Sequence, residues 1–179
     1  MTTMENVLIA EKGIDEVWSF FNDVNSVAVC VPTMVKYEII DENTVYCDLR
    51  IRLGLIPLDS KARVTITERQ GNRHLEARGE TEAGETLKKF GKLATGTVTK
   101  LHIILDLEEI SPNKTRIHYC INADAVGQMK RIYEAIIKGQ RAKMEAQFVE
   151  NVEKGLGTKV VFEEAEAAEH AGSERFVSH

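Results

Sequence analysis

From Gln128 to Leu156 the apolar residues recur at helical spacing and form one drifting stripe, with charged residues on the opposite side. A helix of this length is roughly 40 Å long, which is enough to cross a whole β-sheet. We expect Gly155 and Gly157 to end it. The apolar stripe consists of Met129, Ile132, Tyr133, Ile136, Ile137, Met144, Phe148 and Val152. The side expected to face solvent consists of Lys130, Arg131, Glu134, Lys138, Arg141 and Glu145.

The residues that precede this helix alternate between apolar and polar side chains, as half-buried strands do. The alternation predicts about seven strands, nearly all of them antiparallel neighbours joined by short turns. Two short helices are predicted after the first strand, the second capped by Asn25 or Ser26 and ended by Pro32. Because the helices are separated from the antiparallel strands along the chain, the fold class is predicted to be α+β.

One hairpin can be assigned a register from the sequence. The turn at residues 41–43 separates two alternating runs, and closing it sets Lys36 opposite Asp48 on the polar face. The same register sets Tyr37 opposite Cys47 on the apolar face, so the two faces agree.

Composition and charge restrict the class of protein and its partners. Hydrophobic residues make up 43% and charged residues 28% of the chain, as in folded globular proteins. The net charge of −5, with both signs interspersed, argues against a nucleic-acid partner. No apolar run reaches the ~18 residues that span a bilayer, so any membrane contact is expected to be peripheral.

The three cysteines, Cys30, Cys47 and Cys120, are widely spaced and form no CxxC motif. They predict neither a disulfide framework nor a thiolate zinc site, and a reducing cytoplasm is the compartment that fits. We expect one domain over residues 1–157 and a tail over residues 158–179. The tail is rich in Glu and Ala with little apolar content, which predicts a mobile acidic segment.

Three short motifs accompany these patterns in a fixed order. They are Asp23, Cys30 and Pro32 after the first helix, Leu53-Gly54 with Pro57 between two strands, and Thr115 with Gly127 before the long helix. Together they resemble the CoxG family of carbon monoxide dehydrogenase subunits, a branch of the START-like (SRPBCC) helix-grip superfamily. The likeness spans roughly residues 4–156. Thr33 stands where the family usually has glycine, and longer members carry a hydrophobic anchor where this chain has its acidic tail.

The resemblance implies a START-like or Bet v 1-like fold, in which a curved seven-stranded antiparallel sheet surrounds the long C-terminal helix and leaves a cavity. It also implies a non-enzymatic carrier that encloses a hydrophobic small molecule of the lipid or isoprenoid quinone class, with no cofactor of its own. Its further partner would be a molybdenum hydroxylase-type oxidoreductase, as for the accessory subunits of carbon monoxide dehydrogenases. The expected location is the cytoplasm, with peripheral contact at the inner face of the membrane.

Two alternative functions stay open. One is an enzyme similar to polyketide cyclases or dehydratases, which would use the same cavity. Such an enzyme needs an inward-facing histidine or carboxylate for proton transfer, whereas the predicted inner face offers only tyrosines, Cys47 and Gln140. No catalytic residue is therefore predicted. The other alternative is an adaptor that uses the outer surface of the sheet and has a filled interior.

The side chains predicted to line the cavity share an inward position on a strand or helix. They are Trp18, Tyr37, Cys47, Leu49, Ile51, Val64, Ile66, Ile103, Tyr119, Ile121, Ile132, Tyr133, Ile136 and Met144. Gly139 lies in the middle of the long helix, at a cost of roughly 1 kcal/mol relative to alanine. It either makes room for a ligand or allows close packing against a strand.

The predicted cavity mouth or partner contact combines two apolar and basic segments. They comprise Leu55 and Ile56 between two strands, and Leu87, Lys88, Lys89, Phe90 and Lys92 in a glycine-bounded loop. His118 and Cys120 share one strand face, and Asp106 or Glu108 should lie near them. Because that face is expected to meet solvent, a cross-strand ion pair is favoured there and no metal site is predicted.

Overall fold

The computed structural model describes residues 1–91 and 98–164, and for residues 90 and 91 it describes the backbone alone. The strands are β1 Thr2–Ala10, β2 Met34–Ile39, β3 Thr44–Leu53, β4 Ile56–Gln70, β5 His74–Ala83, β6 Val98–Ser111, β7 Lys114–Asp124 and β8 Val160–Phe162. The helices are α1 Ile14–Asn22, α2 Val24–Ala28, α3 Glu85–Gly91 and α4 Gly127–Leu156. This order confirms the predicted α+β class.

The strands form one antiparallel sheet in the order β2-β3-β4-β5-β6-β7-β1-β8. In the described part of the chain the sheet has eight strands, so the predicted count of seven is wrong. The additional strand, β8, pairs with residues 8–10 of β1 in the segment where the mobile tail was expected to begin. Its three apolar residues are too short a run to predict a strand, and Val160 is buried by tertiary contacts at 3% exposure.

Bulges and one glycine bend the sheet. The pairing register shifts once in each of the pairs β2–β3, β4–β5 and β6–β7, and such bulges bend a strand and increase its twist. On β5, a Cβ at Gly79 would lie only 2.8 Å from the carbonyl oxygen of Arg63 on β4. Glycine at this position therefore allows the two strands to approach each other more closely than a side chain would permit.

The predicted register of the first hairpin is confirmed. Lys36 pairs with Asp48 and Tyr37 with Cys47. The Lys36 ammonium lies 3.4 Å from the Asp48 carboxylate on the outer face.

The N-terminal end of helix α2 differs from the prediction. The N-cap of α2 is Asp23 rather than Asn25 or Ser26, because its carboxylate accepts hydrogen bonds from the Asn25 amide and the Ser26 hydroxyl.

The predicted loop after β5 is wrong. Residues 85–91 form α3, and Leu87 on its inner side is only 3% exposed.

The long helix α4 agrees closely with the predicted span. It is ended by Gly157, whose φ of 69° is the left-handed conformation that glycine adopts readily. Gly155 lies inside the helix rather than at its end. A Cβ there would lie 2.5 Å from the ring of Phe20, so this glycine allows α1 to pack closely against α4.

Candidate ligand-binding site

The buried apolar residues between the sheet and α4 form three separate clusters. The C-terminal cluster joins α1, β1, β6 and β7 to the end of α4 through Val149, Val152 and Leu156. The N-terminal cluster joins β4 and α3 to the start of α4, and consists of Leu58, Ala83, Leu87, Ala125, Met129, Ile132 and Ile136. The β3–β4 cluster consists of Val45, Cys47 and Ala62.

The inner surface between these clusters is not fully covered. Ile103 on β6 pairs with Ala77 and Ile121, so its side chain lies on the same, inner face of the sheet. Nevertheless Ile103 is only half-buried, and among the described residues it packs with none of the three clusters. Met144 on α4 is in the same situation. An inward side chain that remains accessible requires open space beside it.

Strand β5 adds to this space because its inner face carries small side chains. Ala77, Gly79, Thr81 and Ala83 follow one another on that face. Gly139 on α4 is exposed, and a Cβ there would meet no atom within 4 Å. Close packing of Gly139 against a strand, one of the two explanations considered for this glycine, is therefore wrong.

The fourteen residues predicted to line a cavity are divided among these regions rather than gathered around one centre. Trp18, Ile66, Tyr119 and Ile121 pack with the C-terminal cluster. Ile51, Ile132, Tyr133 and Ile136 belong to the N-terminal cluster or pack against it. Tyr37, Cys47, Leu49 and Val64 do the same for the β3–β4 cluster. Cys47, Tyr119, Ile132 and Ile136 are fully buried, and the other ten are half-buried.

Polar groups enter this interior at two places. Near the start of α4, the hydroxyl groups of Tyr133 and Thr81 lie 3.1 Å apart, and Thr81 is only 6% exposed. Near its end, Tyr119 contacts the ring of Phe148 edge-on at a centroid distance of 5.8 Å. Burial, and secondarily the charge of Glu145, raise the pKa of Tyr119 to about 12. Tyr119 can therefore donate a hydrogen bond at neutral pH.

Glu145 is a candidate site residue that the sequence analysis placed wrongly. Its side chain is only 11% exposed and accepts a hydrogen bond from the Arg141 guanidinium at 2.8 Å. Arg141 also donates to the main-chain oxygen of Glu5 at 2.9 Å, so the pair is tied to β1. The sequence carried a signal for this orientation, because Glu145 precedes Val149 by four residues and Val152 by seven.

The predicted mouth residues differ in exposure. Leu55, in the turn between β3 and β4, is 93% exposed, and Ile56, the first residue of β4, is 39% exposed. Leu87 is buried, and the Lys88 ammonium lies 3.7 Å from Glu82 and 3.8 Å from Glu85. Lys89 is exposed. The side chain of Phe90 and the whole of Lys92 lie outside the described residues.

On the outer face of the sheet, His118 lies between two carboxylates, of which Asp106 was predicted to be near it and Glu5 was not. The Nε2 atom of His118 lies 2.5 Å from the carboxylate of Glu5 on β1, and its Nδ1 atom lies 3.9 Å from Asp106 on β6. Cys120 contacts the Asn122 side chain.

No helix among residues 1–91 and 98–164 combines the length and apolarity required to cross a bilayer.

The antiparallel sheet lying against one long C-terminal helix, with two short helices after the first strand, defines a helix-grip protein. The family model of CoxG, a carbon monoxide dehydrogenase subunit, matches residues 9–157. The chain therefore belongs to the CoxG family, which confirms the resemblance found in its motifs.

Solved structures share the fold at low sequence identity. A conserved protein from Geobacillus kaustophilus has a TM-score of 0.68 at 18% identity, over 89% of this chain and 99% of that one. A protein from Arthrobacter aurescens has a TM-score of 0.54 at 13% identity, over 87% and 86% of the two chains. The Zhui aromatase/cyclase from a Streptomyces species has a TM-score of 0.50 at 13% identity, over 86% and 94%. A search of the curated proteins found no match.

Proposed function

We propose that the protein binds a hydrophobic small molecule of the lipid or isoprenoid quinone class between the sheet and α4, and that it acts as a carrier. The observation that supports this most directly is the half-buried side chain of Ile103, which lies on the inner face between Ala77 and Ile121 and outside all three clusters. Accessible apolar surface inside a fold is the kind of surface that a hydrophobic ligand covers.

The polar groups of the interior suit a ligand with a small polar head. Small-molecule sites are mostly apolar, with a few polar groups that fix the orientation of the ligand. The Tyr133–Thr81 pair and the Tyr119 hydroxyl supply such groups at opposite ends of α4. A carbonyl oxygen of a quinone, or the oxygen of a lipid head group, would accept a hydrogen bond from either tyrosine.

We infer that the ligand enters between the N-terminal half of α4 and the end of the β3–β4 hairpin, where the Gln140 side chain donates to the main-chain oxygen of Arg52. Leu55 is 93% exposed in the turn, and Val126, which precedes α4, is 70% exposed. The N-terminal cluster connects these two segments from beneath. Lys130 and Arg131 are exposed on the first turns of α4. Exposed apolar side chains flanked by cations favour peripheral contact with an anionic membrane surface.

The family description supports a partner as well as a ligand. Because members of the family are described as subunits of carbon monoxide dehydrogenase, we propose that the protein serves a molybdenum hydroxylase-type oxidoreductase. We propose the cytoplasm, at the inner face of the membrane, as the place of this interaction. The three free cysteines, Cys30, Cys47 and Cys120, are compatible with a reducing compartment.

Native mass spectrometry of the purified chain, followed by organic extraction, tests the carrier function. We expect a stoichiometric lipid or quinone to travel with the protein, or an isoprenoid quinone to bind when it is added. Ile103→Trp should reduce this uptake because the indole would occupy the open space. Ile104→Trp is the matched control, since residue 104 is adjacent in sequence and lies on the opposite face of β6. Ile136 is unsuitable for this test because it is already packed, at 5% exposure.

A protein that carries no ligand and takes up none would contradict the carrier function and favour an adaptor with a filled interior. Equal loss of uptake in the Ile103→Trp and Ile104→Trp variants would contradict the location, because it would indicate general destabilisation. Circular dichroism melting of both variants separates these two outcomes.

One observation favours a second candidate function, an enzyme similar to polyketide cyclases or dehydratases. Glu145 provides the carboxylate near the interior that such chemistry needs, and it lies close enough to Tyr119 to raise the pKa of that phenol. Incubation with an aromatic polyketide substrate distinguishes the two functions. Recovery of unchanged ligand supports the carrier, whereas a converted product that is lost in Glu145→Gln supports the enzyme.

A further inference from the structure

A second group of chemically active side chains lies on the outer face of the sheet, away from the interior. Its centre is Glu76 on β5. One carboxylate oxygen of Glu76 lies 3.2 Å from His74 Nε2, and the other lies 3.2 Å from His102 Nε2 on β6. The side chains of these three residues are between 20% and 27% exposed, so the group is partly shielded from solvent.

A bulge brings another carboxylate to this group. The register of the β4–β5 pair shifts between Ile66 and Glu68, and the shift sets Glu68 directly opposite Glu76. Like charges directly opposite each other on a sheet face are unfavourable unless a cation lies between them. Bulges that redirect a side chain in this way are over-represented beside functional sites. The arrangement of Glu68 and Glu76 therefore points to a positively charged ligand.

The position of His74 fits a metal ligand. Its Nδ1 atom lies 2.6 Å from the carboxylate of Asp106 on β6. In the metal-free protein the other ring nitrogen, Nε2, faces the Glu76 carboxylate, so a cation would take the place of the proton on Nε2. A hydrogen bond from Nδ1–H to a carboxylate is the usual arrangement around a metal-bound histidine. One donor atom each from Glu68, His74 and Glu76 lie within 4.8 Å of one another.

We propose that Glu68, His74 and Glu76 bind a divalent transition-metal cation of the zinc class, with Asp106 as the carboxylate that orients His74. Zinc–nitrogen and zinc–oxygen bonds of about 2.0–2.2 Å place neighbouring tetrahedral ligands about 3.3 Å apart. The 3.2 Å separation of His74 Nε2 and Glu76 already meets this requirement. Glu68 is exposed, and its carboxylate accepts a hydrogen bond from the Gln70 side chain at 2.8 Å, which binding of the cation would replace.

The three proposed ligands leave one position of a tetrahedral zinc site for water, and a groove lies beside His74. His74 and Asp106 also line a surface groove of about 780 Å³ at the end of the β4–β5 hairpin. Water or a small anionic ligand can therefore reach the cation from this side. His102 contacts the second oxygen of Glu76 and orients that carboxylate, so it is a positioning residue in this site. The site is independent of the ligand-binding interior, which lies on the other face of the sheet.

Isothermal titration of the full chain with Zn²⁺ alone, with the stoichiometry checked by native mass spectrometry, tests the proposal. We expect one bound ion, an affinity reduced by at least about tenfold in His74→Ala and in Glu68→Gln, and a zinc-dependent rise in melting temperature that both variants lose. Asp48→Asn is the control for loss of an outer-face carboxylate, because Asp48 on β3 pairs with Lys36 on β2, away from β5 and β6. A His170→Ala/His179→Ala double variant removes the two histidines nearest the C-terminus and should bind zinc as the parent does.

In the absence of zinc, Glu68→Gln should raise the melting temperature because it removes the repulsion from Glu76. Weak binding that His74→Ala and Glu68→Gln leave unchanged would overturn the site, and so would binding that the His170→Ala/His179→Ala variant abolishes. A lower melting temperature of the zinc-free Glu68→Gln variant would also overturn the site, because the cluster would then be an ion-pair network that is stable without a cation.

Discussion

The hydroxyl groups of Tyr133 on α4 and Thr81 on β5 lie 3.1 Å apart and join the helix to the middle of the sheet. Thr81 is 6% exposed, so removal of its partner leaves a buried hydroxyl without this hydrogen bond. We expect Tyr133→Phe to lower the free energy of unfolding by about 1–2 kcal/mol in urea titrations. Tyr46→Phe, at a side chain that is 44% exposed, is the control and should change it little. Equal stability of the two variants would mean that the Tyr133–Thr81 bond is not maintained in solution.

Two glycines of α4 should respond in opposite ways to alanine. At Gly139 a Cβ meets open space, so Gly139→Ala should raise the free energy of unfolding by up to about 1 kcal/mol. At Gly155 a Cβ would collide with the ring of Phe20, which is itself held edge-on against Phe21. Gly155→Ala should therefore lower stability by about 1–3 kcal/mol. Chemical denaturation of both variants measures the difference, and a gain at Gly155 would contradict the close contact between α1 and α4.

Tyr119 should make the fold sensitive to alkaline pH. Its pKa is raised to about 12 in the folded protein, from 10.0, chiefly by burial. The contribution of the protonated Tyr119 side chain to the free energy of unfolding is fully present below pH 10. It is lost as the pH rises through 12, because only the unfolded chain loses the Tyr119 proton in that range. The loss is on the order of 2 kcal/mol. Denaturant titrations between pH 8 and about 11 should show stability falling with pH. Tyr119→Phe should flatten this slope, and an unchanged slope would exclude Tyr119 as its source.

The three cysteines should differ in reactivity. Burial, with a smaller effect of the Asp48 charge, raises the pKa of the Cys47 thiol to about 11, and burial also raises the pKa of Cys30. At pH 8 roughly one Cys47 thiol in a thousand is ionised. Cys120 is less buried than either. Alkylation by iodoacetamide, followed by peptide mass spectrometry, should modify Cys120 first. Faster modification of Cys47 would indicate that the β3–β4 cluster opens in solution.

The exposed end of the β3–β4 hairpin should mediate membrane contact. Leu55 is 93% exposed there, and a charge at this position opposes insertion into a lipid surface. We expect Leu55→Asp to weaken flotation with anionic vesicles, and we expect salt to weaken flotation of the parent. Val35→Asp, at a side chain that is 54% exposed on β2, is the control for the added charge. Equal flotation of both variants would place the contact elsewhere or exclude it.

The regular part of the fold followed from the sequence because its side chains alternate cleanly. Lys36 opposite Asp48 and Tyr37 opposite Cys47 were predictable since one register satisfied both faces of the hairpin. The proximity of Asp106 to His118 was predictable for the same reason, whereas the closer partner, Glu5, was not named. The span of α4 was predictable from its stripe and from the glycine that follows it.

The parts that were missed depend on contacts between elements distant in sequence. Leu87 was placed in an exposed loop because Leu87 and Phe90 are separated by two lysines and followed by Gly91, a run too short to give a helical stripe. Leu87 is nevertheless buried beside Leu58 and Ile132. Glu145 was assigned to the solvated side of α4, although its spacing from Val149 indicated the other orientation. The group around Glu76 could not be predicted, since a one-residue bulge decides which side chain faces it.

The short strand β8 has a practical consequence for anyone preparing this protein. The family match ends at residue 157, whereas Val160–Phe162 pairs with Leu8–Ala10 as the edge strand of the sheet. A version trimmed at residue 157 would leave the main-chain amides and carbonyls of residues 8–10 unpaired at the sheet edge. A strand of another chain could then pair with them. Self-association of a trimmed version would then reflect the missing edge strand and not a native oligomer.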